Sequence, residues 1–204
     1  MTDDLLATTY EDERTRIYWR DPSYEADYKL MQSKLPNRDI TFGSATADEK
    51  LWMVTISSDT EPGETYLFDR TIKRLTLQYR VFDKLPREHL ATVKAISYPS
   101  SDGLQIPAFL TLPKGVDARN LPLVIFPHGG PWARDSWGYD PYAQFLANRG
   151  YAVLQPNFRS STGYGKRFLN AGNKEWGGKM QDDLTWGVKA LVAQGVVDAK
   201  RVGI

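Results

Sequence analysis

An apolar run, Leu121 to Phe126, passes directly into Pro127-His128-Gly129-Gly130-Pro131. A strand that empties into a glycine pair can aim backbone N–H groups at a ligand, because glycine permits close backbone approach and positive φ. That arrangement suits acyl transfer. The tetrahedral intermediate carries its negative charge on oxygen, and each fixed donor aimed at it is worth about 2.7–4 kcal/mol. Gly130 and Gly129 are the candidate oxyanion donors, Gly130 ahead because it lies further into the loop. A glycine pair alone fits a ligand-free turn better; the apolar strand before it and the His-Gly-Gly-Pro context reverse that preference. His128 has a general base's side chain, but its expected role is to hydrogen-bond loop backbone and, with Pro131, hold the turn's shape.

A second dense segment, Asn157-Phe158-Arg159-Ser160-Ser161-Thr162-Gly163-Tyr164-Gly165, follows another apolar run. Neither serine sits in the G-x-S-x-G pattern of a nucleophile elbow. Ser160 and Ser161 are therefore expected to cap and shape the loop. Arg159 either grips a substrate carboxylate bidentately or pairs with Asp182 or Asp183, and the pairing is preferred. Asp182-Asp183 resembles a metal pair, yet neighbours on a helix point about 100° apart and do not converge on one ion. No metal and no cofactor is expected. His89 reads as a solvated linker residue, and Trp132, Trp137 and Tyr139 as loop packing at the edge of a cleft.

The elements that position these residues change character near residue 92. Before it, short strand-like segments recur at Ala7 to Tyr10, Arg16 to Trp19, Ile40 to Ala45, Leu51 to Ser57, Glu64 to Asp69 and Leu75 to Phe82. Turn formers separate them, and a helical stretch spans Tyr24 to Leu35. Four short strands in about 45 residues fit one β-propeller blade or an ordinary antiparallel meander equally well. After residue 92 the pattern predicts an antiparallel pair, Ala91 to Tyr98 and Leu104 to Leu112. A strand at Pro122 to Phe126, a helix at Tyr142 to Asn148 and a strand at Tyr151 to Leu154 follow. Helices at Tyr164 to Glu175 and Met180 to Gln194 then lead to a last strand, Arg201 to Ile204. An antiparallel pair followed by alternating strands and helices is the opening of an α/β-hydrolase domain.

Composition narrows the classes. With 26 basic against 25 acidic residues the net charge is +1, so no long-range field attracts nucleic acid or an anionic membrane. Hydrophobic residues make up 41% and aromatics 12%, enough for a buried core. Cysteine is absent, which removes disulfides, thiolate catalysis and Cys-based zinc sites. Met1 to Leu6 lacks a basic segment followed by an apolar one, and no run reaches membrane-span length, so a cytoplasmic location without membrane contact is expected.

Taken together, Phe126-Pro127-His128-Gly129-Gly130-Pro131, Phe145 to Pro156, Asn157-Phe158-Arg159, Thr162-Gly163-Tyr164-Gly165, Trp176-Gly177-Gly178 and Gln181-Asp182-Asp183 resemble the prolyl oligopeptidase family of serine peptidases. The likeness is to its acylaminoacyl-peptidase and dipeptidyl-peptidase-like branch. Upstream, Tyr10 to Thr15 and Gly63 to Phe68 are similar to the last propeller blades of that family. The resemblance implies a mixed fold: the end of a β-propeller over residues 1–92 and the first half of an α/β-hydrolase domain over 93–204. It implies a short peptide as substrate, with homo-oligomer formation left open, and places the catalytic Ser, Asp and His after Ile204. The chain is then a fragment ending before its nucleophile elbow and inactive alone. Trp186 departs from the family, which often has an acidic residue there. An esterase or lipase-like hydrolase and a non-catalytic propeller module are the competing readings.

Overall fold

The computed structural model describes residues 4–204. The chain divides into two compact units, the first running to Arg87 and the second covering Glu88–Ile204. Each has its own apolar core.

In the first unit, β1 (Ala7–Glu11) and β2 (Thr15–Trp19) form a hairpin. Helix α1 (Pro22–Lys34) follows, started by Asp21, whose carboxylate accepts from the N–H groups of Ser23 (2.7 Å) and Tyr24 (3.2 Å), with Pro22 in the first turn. Strands β3 (Asp39–Ala45), β4 (Leu51–Ser58), β5 (Glu61–Asp69) and β6 (Arg74–Arg80) then make an antiparallel sheet in sequence order. Period-2 alternation places Trp52, Val54 and Ile56 of β4 on the buried face, with Phe68, Ile40, and Tyr24 and Met31 of α1. Buried Asp27 fastens α1 to the turn after β5 by accepting from Arg70 Nε (2.6 Å) and Lys73 Nζ (2.5 Å).

The second unit opens with the antiparallel pair β7 (Val93–Pro99) and β8 (Gln105–Thr111). Next come β9 (Leu121–Ile125), α2 (Pro141–Asn148), β10 (Ala152–Pro156), a short α3 (Lys166–Asn170), α4 (Lys179–Ala193) and β11 (Val197–Gly203). The sheet order is β11-β9-β10-β8-β7, with β10 antiparallel to β8 and parallel to β9, and β11 parallel to β9. β10 is buried at every position, as expected of a strand covered on both faces. Parallel crossovers are right-handed, and these two run in opposite directions across the sheet, so α2 and α4 lie on opposite faces. Gly187 lets α4 lie close on the sheet: a Cβ there would come within 2.7 Å of Leu154 Cδ2 and of the Tyr98 hydroxyl.

Two expected elements differ in extent. The helix read over Tyr164 to Glu175 shrinks to α3. Gly165, at φ 86°, precedes it, and Gly172 packs where a Cβ would lie 2.1 Å from Ser160 Oγ, so the chain turns away after Phe168 is buried. The last strand begins at Val197 rather than Arg201: Val197 pairs with Leu121 and Val202 with Leu123, and a bulge between them shifts the register while the strand continues through Asp198 to Arg201.

Candidate functional site

β9 and β10 are adjacent and parallel, and their connections leave over opposite faces. That is the place where an α/β sheet opens a crevice outside the carboxyl ends of its strands. The loops after both strands, 126–140 and 157–165, meet there.

The first loop leaves β9 with the Phe126 N–H still donating to Leu154 O of β10 (2.8 Å). Gly130 takes φ 135°, and a Cβ at that position would lie 2.8 Å from the Trp132 nitrogen and 3.3 Å from that of Ala133, so only glycine fits. Nothing lies within 4 Å of the corresponding position at Gly129. Both glycines are exposed, and among the described residues nothing accepts from either N–H. Pro131 is buried behind them, its carbonyl accepting from the Ala133 N–H at 2.8 Å. The turn thus presents two available donors on a constrained backbone.

His128 points back into the protein. Its Nδ1 is 2.9 Å from Gly129 O, its Nε2 is 2.8 Å from Ser161 Oγ, and its ring stacks on Phe158 at 4.6 Å and 17°. The contact with Ser161 has the length of a nucleophile–base pair, but Ser161 is 0% exposed and donates its hydroxyl to Phe158 O at 2.6 Å. A serine so placed shapes a loop. Ser160 does likewise, at φ 76°, with its hydroxyl donating to Leu169 O (2.7 Å).

The two loops are stitched at further points. Fully buried Asn157 accepts from the Asp135 N–H (2.8 Å) and donates to Asp135 O (3.0 Å) and to the Tyr164 hydroxyl (2.8 Å). Thr162 N–H donates to Ala133 O (2.9 Å), and Arg134 donates to Tyr164 (2.9 Å). Burial pushes the Asp135 carboxyl up to about 6 against the pull of His128; Asp140 pushes it further up and Arg134 holds it back. Its Oδ2 is buried with no hydrogen-bond partner. A cleft of about 200 Å³ opens beside His128, lined by Pro127, Phe158, Gly177, Met180, Gln181 and Leu184.

Arg159 faces away from this cleft. At 2% exposure it donates to both Asp183 oxygens (Nε 2.9 Å, Nη2 2.8 Å) and both Asp102 oxygens (Nη1 3.0 Å, Nη2 3.1 Å). Asp183, 0% exposed, also accepts from the Arg159 N–H (2.9 Å) and the Ser100 hydroxyl (2.5 Å). Hydrogen bonds from Arg159 hold the Asp102 carboxyl well below the usual carboxylate range, and those to Asp183 raise the Arg159 guanidinium further. The network joins the β7–β8 turn, the loop after β10 and α4. The Asp183 half follows the sequence-level pairing; Asp102 carries no sequence signal, because it sits 57 residues from Arg159 in an ordinary turn. Asp182 points elsewhere, accepting from the Ser101 hydroxyl (2.9 Å). Asn157 and Asp135 were also missed: one is an unremarkable loop polar residue, the other acquires its setting only through burial. Among the described residues no group of three or more His, Asp or Glu side chains could hold a metal, and no helix is long and apolar enough to cross a membrane.

Against known proteins, residues 137–204 match the Prolyl oligopeptidase family (Peptidase_S9). The chain is 44% identical over 198 residues to Dipeptidyl aminopeptidase BIII of Pseudoxanthomonas mexicana, covering 93% of this chain and 29% of that protein. It is 31% identical over 221 residues to Dipeptidyl peptidase family member 6 of Caenorhabditis elegans, covering 98% of this chain and 30% of the relative. Among solved structures, a Mycobacterium tuberculosis puromycin-hydrolyzing peptidase superposes with a TM-score of 0.74 at 22% identity, over 96% of this chain and 31% of that one. The chain therefore spans under a third of the length of these relatives.

Proposed function

We propose, from the premise that the chain belongs to the prolyl oligopeptidase family, that it is the part of a serine peptidase that supplies the oxyanion loop and half the sheet beneath it. In this reading residues 1–92 are the end of a β-propeller and 93–204 the first half of an α/β-hydrolase domain. The antiparallel β7–β8 pair leading into parallel β10, β9 and β11 supports the second assignment, and the four-stranded meander with its preceding hairpin supports the first.

The observation that carries the reading is the exposed, unaccepted N–H pair of Gly129 and Gly130 at the carboxyl end of β9. β11 runs parallel beside β9, with Gly203 opposite Val124, so chain following Ile204 would emerge next to the glycine turn. A serine on an elbow there would attack the carbonyl carbon of a short peptide while its proton passes to a histidine. The Gly130 N–H, with the N–H after the serine, would hold the oxyanion; collapse would release the amine and leave an acyl-enzyme for water to resolve. Serine, aspartate and histidine all lie beyond Ile204 in this account, and Ser161 is excluded as nucleophile by its burial and committed proton.

The test uses the full-length protein: labelling by a fluorophosphonate, with turnover of dipeptidyl and acylaminoacyl amide substrates beside simple esters. Labelling at a serine beyond residue 204 with amide turnover is expected. Ester turnover alone would give the esterase reading, and no labelling would sink the hydrolase assignment.

A further inference from the structure

A cavity of about 370 Å³ lies wholly within the second unit, apart from the loops that meet at the glycine turn. Lys94 of β7 and Leu110 of β8 are register partners, so their side chains leave the same face of the sheet. Thr92 and Leu112, two residues away on each chain, share that face. Leu110 and Leu112 line the cavity from the sheet, Leu90 from the chain ahead of β7, and Pro113, Val116 and Ala118 from the connection after β8. In the sheet order β8 and β7 stand second and third from β9, and the cavity extends toward the amino ends of β9 and β10, whereas the glycine turn leaves the carboxyl end of β9. It is a place of its own.

The charges around it have one sign. Lys114 Nζ donates to Glu88 O (2.5 Å), which uses one of its three hydrogens. The Lys94 ammonium has no hydrogen bond or ion pair among the described residues. No carboxylate lines the cavity, and Asp117, the one acid of the segment 113–118, stands outside its lining. An apolar pocket with a few convergent polar groups is the usual form of a small-molecule site, and this volume is near the lower end of the range for such pockets. Both features select the ligand. An anionic head gains charge-assisted hydrogen bonds from the lysines, and an alkyl chain takes the leucine, proline and valine surface out of water. A ligand that also carries an ammonium, such as a free dipeptide, meets two like charges.

We propose that this cavity is a binding site for a medium-chain monocarboxylate, its carboxylate held by the Lys94 and Lys114 ammonium groups and its alkyl chain against Leu90, Leu110, Leu112 and Val116. The inference uses nothing from the glycine turn and does not rest on the peptidase reading.

The experiment titrates the full-length protein with octanoate by isothermal calorimetry. Saturable binding at one site per chain is expected. Octanol, which lacks the charge, and acetate, which lacks the chain, should each bind about tenfold or more weakly. Lys94→Gln should weaken octanoate roughly ten- to a hundredfold, the loss of a hydrogen bond to a charged group, and Lys94→Arg should keep it within about threefold. Val116→Glu places a carboxylate in the lining and should abolish binding. Lys94 is exposed and Val116 is 55% exposed, so both variants should fold, which melts without octanoate would verify; if Val116→Glu melts early, Ala118→Glu, also at an exposed position, takes its place. No saturable binding at millimolar octanoate, octanol binding as tightly as octanoate, or unchanged affinity in either Lys94→Gln or the glutamate variant overturns the assignment.

Discussion

Replacing Arg159 with methionine removes the guanidinium but keeps most of the buried stem, and the consequences fall unequally on its two partners. Asp102 has a side chain 32% exposed and retains Lys179 Nζ at 3.2 Å and the Leu104 N–H at 3.3 Å. Asp183 is fully buried and loses two charged donors, keeping only the residue-159 N–H and the Ser100 hydroxyl. Removing one partner of a buried ion pair costs about 3–5 kcal/mol, and the two surviving hydrogen bonds place this case near 3 kcal/mol. For a unit of this size that is a fall in Tm of roughly 12 °C. Thermal melts combined with hydrogen exchange on α4 would measure it, with loss of protection beginning at the Asp183 turn. Arg159→Met with Asp183→Leu should recover more than half the loss, since no charge is then stranded. A pH series adds a second check. Asp102 titrates below its unfolded value, so it stabilises the fold above about pH 4 and that contribution fades as pH falls further; Arg159→Met should flatten this dependence. A single variant melting within about 3 °C of wild type, or a double variant no better than the single, would refute the idea that this pair ties the three segments together.

Gly130→Ala should displace the turn, because its Cβ would lie 2.8 Å from the Trp132 nitrogen; in the full-length protein kcat should fall about 10²- to 10³-fold with little change in Tm, as steady-state kinetics and a melt would report. Ser161→Ala in the full-length protein should leave fluorophosphonate labelling stoichiometric, and loss of labelling with the fold intact would return Ser161 to candidacy as nucleophile. Gly187→Ala should destabilise the second unit by about 1–3 kcal/mol despite alanine's better helix propensity, since its Cβ would collide with Leu154 and Tyr98; a urea midpoint equal to wild type would contradict this.

Most strands were legible because alternation and turn residues are local signals. The β4 run Leu51–Ser58 buries every second residue from Trp52, as its sequence implies, and the apolar stretches of β9 and of Ala152–Leu154 in β10 read as buried strands. α3 was overextended because Ala171 and Gly172 look helix-compatible in isolation; the turn there is set by Ser160 and Met180, against which Gly172 packs. The glycine pair and His128 could be picked out as a loop, but the hydrogen bond from 128 to 161 could not. Nothing local distinguishes a serine that shapes a turn from one that also meets an imidazole nitrogen. Asp135 shows the same limit, its character coming from the Asn157 clamp 22 residues away.

The strand order also sets a timetable for synthesis. β10 reaches β9 soon after it is made, but the other edge of β9 waits for β11, whose Val197 pairs with Leu121 roughly 75 residues earlier. At about 5–20 residues per second, that edge stays unpaired for roughly 4–15 s on the ribosome. During that interval the nascent chain presents an open, hydrophobic strand to whatever else is being translated nearby. Slowing elongation between α4 and β11 should therefore raise aggregation or chaperone dependence without altering the finished protein's stability, a cost incurred by the same topology that brings β9 and β10 together under the glycine turn.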